Sequence, residues 1–149
     1  MMDGAPPDAP VRTSTEATPH DVLVLAAKYA EAADCLFAEH RRSQSDLNLP
    51  ARLCALHAVE LYLHAFLRYR GASAKQLRTR NHGLWHDEFN RCLDLDAKTR
   101  QHLQDLSDQK AYLSVRYPND PVQRPCPINR MERTLEAIRE KADRIPFNV

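Results

Sequence analysis

The chain has 149 residues, 43% of them hydrophobic and 28% charged, with 21 basic against 20 acidic side chains and a formal net charge of +1. That length suits one domain around one core, and the composition is that of a soluble globular protein. The charge balance excludes an overall electrostatic bias toward nucleic acid or an anionic membrane, and no run of about 18 apolar residues exists to span a bilayer.

Residues 1–18 are rich in Pro, Thr and small side chains, lack the apolar stretch of a signal peptide, and are expected to be disordered. Residues 19–149 are read as the folded domain. Its first helix should open at Thr18-Pro19-His20-Asp21, with Thr18 as N-cap, Pro19 at the first helical position and Asp21 at the positive end of the dipole. Leu23, Ala26, Ala30, Ala33 and Phe37 recur at helical spacing to about Arg42, and the alanines predict close approach to a neighbouring helix. His40, Arg41 and Arg42 read as a solvated helix end.

The second helix is expected from Pro50 to a stop at Gly71, with Leu53, Leu56, Leu63 and Leu67 on its apolar side. A loop follows, holding Lys75 and the short basic stretch Arg78-Thr79-Arg80. A short third helix over roughly 84–94 carries Trp85 and Phe89, four apart, as a core pair. Asp96 caps a fourth helix with Leu103, Leu106 and Leu113 on its apolar edge, ending before Pro118. The stretch YPNDPVQRPCP (117–127) is irregular. The last helix carries Ile128, Met131, Leu135, Ile138, Ala142 and Ile145 at separations of 3, 4, 3, 4 and 3, a seam for a partner copy or for the first helix.

No strand pattern competes, so the expected fold is all-α: an antiparallel bundle of four long helices plus one short helix. The cysteines at 35, 54, 92 and 126 form no CxxC pair. Cys35, Cys54 and Cys92 read as small packed hydrophobes and Cys126 as a loop residue, a usage that suits a reducing cytoplasm.

Two polar rows interrupt this pattern. In ALHAVELYLHAFL (55–67), His57, Glu60 and His64 fall three and four apart and share one helix face. On the fourth helix, His102, Asp105, Gln109, Tyr112 and Arg116 repeat that spacing. Facing each other, the rows would line a polar groove in which Arg116 pairs with Glu60. Three readings of the first row stand: a structural ion pair, a metal site, and a ligand or RNA site with Arg116 and the histidines toward phosphate. HxxExxxH is neither the HExxH zinc motif nor the ExxH element of di-iron bundles, so no metal or other cofactor is assigned.

Three stretches resemble one family. HAVELYLHAFLRYRG (57–71) resembles the second helix of HEPN domains (higher eukaryote and prokaryote nucleotide-binding helical domains), with His64 where many members carry Lys. RNHGLWHDEFNRCL (80–93) is similar to the element that opens their short helix, with His82-Gly83-Leu84 in place of His-Asp-Leu. YLSVRYP (112–118) resembles the Arg-Tyr-Pro that ends a later helix. The order holds across about residues 19–145. The resemblance implies a helical bundle, commonly homodimeric, associated with nucleotides or RNA. Some members are metal-independent ribonucleases, and others accompany minimal nucleotidyltransferases in toxin–antitoxin pairs. Ribonuclease members carry an Arg followed a few residues later by a His, which would stabilise phosphate and transfer protons. Arg80 and His86 form such a string, with five residues between them, ahead of the family's usual position; no histidine follows Arg116. The expectation is a nucleotide- or RNA-associated module with little catalysis, in a toxin–antitoxin or defence setting. Its site residues are Glu60, Arg116, His57, His64 and Tyr112. The ribonuclease alternative uses Arg80 and His86, and a purely structural interaction domain is the third reading.

Overall fold

The computed structural model describes residues 16–43, 48–80, 83–108 and 126–145. Its first helix, α1 (Pro19–Ser43), starts where the sequence places it. The Asp21 amide donates to Thr18 Oγ1 at 3.0 Å and the Thr18 amide to Asp21 Oδ2 at 2.9 Å, so two orphan donors are satisfied reciprocally. Three residues ahead of α1, Glu16 accepts from the Ala74 amide at 3.2 Å and lies 3.7 Å from Arg68.

Helix α2 (Leu49–Tyr69) is the centre of the fold: 13 of its 21 residues are buried. A helix apolar on most of its circumference must be enclosed rather than laid on a surface. Its C-terminus carries a Schellman arrangement. Gly71 sits at φ +103°, the Gly71 amide bonds Arg68 O, and the Ala72 amide reaches back to Leu67 O at 2.9 Å. Any other residue there would pay the left-handed penalty.

The contacts fix the directions. Along α1 and α2, His40 meets Asn48, Tyr29 meets His57, and Glu16 meets Arg68, so the two helices run antiparallel. Ala26, Ala30 and Ala33 of α1 and Ala51, Ala55, Ala58 and Ala65 of α2 are buried, and their small side chains allow this pair the most extensive contact in the fold. The C-terminal helix, α6 (Ile128–Ala142), packs on both. Asp34 accepts from Arg139 at 2.7 and 3.1 Å, and Arg41 pairs with Glu132 at 2.7 Å, so α6 also runs antiparallel to α1. Met131, Leu135, Ile138 and Ala142 are its buried seam. The heptad spacing therefore serves intramolecular packing on α1 and α2. Buried Arg52 ties the start of α6 to α2 through Cys126 O at 2.6 Å.

Helix α5 (Ala97–Asp108) lies against α6, and Asp96 Oδ1 accepts from the Thr99 amide at 2.7 Å as the expected cap. Leu103 and Leu106 enter the common core; Leu113 and the proline-rich 117–127 stretch up to residue 125 lie outside the described residues.

Between α2 and α5 the structure departs from the sequence reading. The expected loop contains a five-residue helix, α3 (Ala74–Arg78), opened by a Ser73/Gln76 capping box. The expected 84–94 helix is shorter, α4 (Asp87–Cys92), because His86 takes the N-cap position. Phe89 is buried, but its described ring partner is Phe66 of α2, at 5.4 Å and 65°, while half-buried Trp85 donates its indole N–H to Asp87. Cys35 and Cys92 are exposed, not packed, and Cys54 is half-buried: in each case one helix face, not the stretch as a whole, meets the core. The described residues are mostly helical, with no strand, and none of their helices is long and apolar enough to cross a membrane.

Candidate functional site

Helical periodicity brings His57, Glu60 and His64 together as read from the sequence. Glu60 is 5% exposed. Its carboxylate stands 3.8 Å from His57 Nδ1 and 3.7 Å from His64 Nε2. Both separations exceed hydrogen-bond range, so the attraction between them is Coulombic and needs a protonated ring. Tyr29 seats the His57 ring edge-on, with centroids 4.4 Å apart and planes at 90°. His57 Nδ1 itself is buried without a hydrogen-bond partner among the described residues.

Arg80 and His86 lie on the segment between α3 and α4. Arg80 Nη2 donates to Trp85 O at 3.1 Å and, more weakly, to Gly83 O at 3.4 Å, closing the turn that leads into α4. Gly83 is tight against this turn: a Cβ there would stand 3.3 Å from Arg80 O. Burial lowers the Arg80 pKa, and the negative charge of Glu60 opposes that shift. His86 Nδ1 accepts from the Phe89 amide at 3.2 Å. Burial, then the Arg80 charge, hold the His86 pKa below the usual imidazole value. The ring is therefore neutral near pH 7, with its proton assigned to Nε2 by that bond. The structure thus joins two groups that the sequence kept apart: Glu60 is felt by Arg80, and Arg80 by His86.

The second polar row points elsewhere. His102 is buried against α6, where its Nδ1 meets Thr134 Oγ1 at 2.5 Å, and Asp105 accepts from Arg130 at 3.1 Å. Burial, reinforced by the Arg130 charge, drives His102 down to about 4. So the described part of this row faces α6 and not the α2 row, because α5 packs on α6. Gln109, Tyr112 and Arg116, and with them the expected Glu60–Arg116 pair, lie outside the described residues.

Sequence reasoning missed Tyr29, Thr134 and Arg130. Each acts through a partner far along the chain, and only the Ser-x-x-Gln spacing of Ser73 and Gln76 offered a local signal for any missed feature. Among the described residues no group of three or more His, Cys, Asp or Glu is arranged to hold a metal ion. No family model, no curated protein and no solved structure matches the chain.

Proposed function

We propose that the chain is a HEPN-like bundle of four long helices that binds nucleotide or RNA without strong catalysis. It would act as a cytoplasmic homodimer beside a cognate antitoxin or nucleotidyltransferase, in a toxin–antitoxin or defence setting. The observation that carries this reading is buried Glu60, flanked by His57 and His64 and within the field of Arg80. It sits on the helix whose sequence carries the resemblance. A carboxylate held among protonatable groups is costly to keep for packing alone. A phosphate-bearing partner gives the Arg80 guanidinium and the imidazoles of this cluster a function.

The proximity of Arg80 and His86 favours a second reading, a metal-independent ribonuclease. Against it, the Nδ1 lone pair of His86 is occupied by the Phe89 amide. A general base needs a free acceptor aimed at the proton it removes. The test incubates the full chain with a mixed RNA pool in EDTA, beside Arg80→Ala and His86→Ala. Retention of RNA without cleavage, weakened about tenfold in Arg80→Ala, is the expected result. Cleavage that disappears in His86→Ala would make the protein a nuclease. No retention of RNA or nucleotide would leave a structural interaction domain.

A further inference from the structure

The polar contact between α5 and α6 leaves an open groove of about 800 Å3 between the first turn of α5 and the first half of α6. That volume lies within the range of small-molecule sites. Three cations stand on it: Lys98, Arg130 and Arg133. Arg130 is anchored by Asp105. Asp105 in turn accepts from Gln101 Nε2 at 2.9 Å and is held in its ionised form by that bond and by Arg130. Lys98 and Arg133 are exposed and make no ion pair among the described residues, whereas Arg130, Arg139 and Arg144 on and just beyond the same helix α6 are each matched to a carboxylate.

The chemistry of the lining is one-sided. Its one carboxylate, Asp96, accepts from the Thr99 amide; Gln101 and Arg130 donate to Asp105 and Thr134 meets His102, and Lys98, Thr99, Asn129 and Arg133 carry the further donors. Helix α6 opens on Pro127 with no side-chain cap and no acid in its first turn, which adds positive potential at the same wall. Ala97, Pro127 and Ala137 add small apolar surface to the lining. Donors, unmatched cations and small apolar side chains in one groove suit a molecule with a compact body and a dianionic end.

We propose that this groove binds a small organic phosphate, with Arg133 and Lys98 on the phosphate, Arg130 as the fixed third cation, and the alanine–proline surface under the organic body. A long polyanion is disfavoured at this site, because the three cations converge on one groove instead of tracking a backbone. The groove shares no residue with the Glu60–Arg80 cluster, so the inference goes beyond the function proposed above.

The test is isothermal titration of the full chain with adenosine monophosphate, pyridoxal phosphate, inorganic phosphate and adenosine. At least one of the two organic phosphates should bind. Its counterpart without phosphate, or phosphate alone, should bind about tenfold or more weakly. Arg133→Glu and Lys98→Glu, both at exposed positions, should each weaken it by about tenfold or more, with unchanged circular dichroism, while Arg144→Glu should not. Failure of both organic phosphates at millimolar concentration would overturn the proposal, as would full affinity in the two groove variants. Binding lost in Arg80→Ala but kept in Arg133→Glu would place the phosphate in the α2 site, supporting the earlier reading and overturning this one. RNA binding that the organic phosphates do not compete, lost in Arg133→Glu, would make the groove a polyanion surface and would also overturn it.

Discussion

Two polar rows with the same helical spacing end in opposite environments. On α5, His102 and Asp105 each bond a side chain across a single interface: His102 meets Thr134, and Asp105 accepts from Arg130 as well as from Gln101 of its own helix. On α2, Glu60 gathers several titratable neighbours at distances too long for hydrogen bonds to the histidines, with Arg80 adding its charge from a third segment. The first row is a fastening, in which a neutral buried imidazole and a paired carboxylate hold two helices in register. The second places a buried carboxylate between two imidazoles on the most enclosed helix of the molecule. The difference teaches that a 3–4 spacing identifies a shared face, while the partner across that face decides whether it becomes a fastener between two helices or a cluster of titratable groups.

The contrast can be broken most forcefully at Glu60. Glu60→Ala should destabilise the fold by on the order of 3–5 kcal/mol in urea denaturation, because the partly buried Arg80 guanidinium loses the counter-charge it feels. A midpoint that stays put would mean that the α2 row is no more electrostatically committed than a surface.

Next in size is the acid response of His102. Its unfolded pKa is near 6.5 and its folded pKa about 4. Above pH 6.5 both states are neutral and the group contributes no pH dependence. Below that, the unfolded chain takes the proton first, so stability falls as pH drops from 6.5 to 4, by about 3 kcal/mol in total. The measurement is the urea midpoint across that window for the native protein and for His102→Met. Parallel curves would show that His102 titrates freely and is not the fastener described.

The smallest effect is expected at Thr134→Val. It removes the hydroxyl and leaves His102 Nδ1 buried without its partner, for a loss of about 1–2 kcal/mol. The same substitution in a His102→Met background should cost less than about 0.5 kcal/mol, since the coupling is then gone. Equal costs in both backgrounds would dissolve the pair.

What the sequence determined by itself is local. The start of α1 at a Thr18–Asp21 cap, the stop of α2 at Gly71, the Asp96 cap of α5 and the buried seam of α6 all depend on groups within a few residues of one another, or on periodicity along one helix. The shared face of His57, Glu60 and His64 belongs to the same class, because helix geometry alone places it. The tertiary structure decided everything that spans the chain. It turned α5 toward α6, gave His102 a partner 32 residues away, and gave the α6 seam α1 and α2 to pack on. It left Cys35 and Cys92 outside the core and brought Arg80 into the field of Glu60. Spacing records which side chains look the same way, but the choice of what they meet is made by packing all the helices at once.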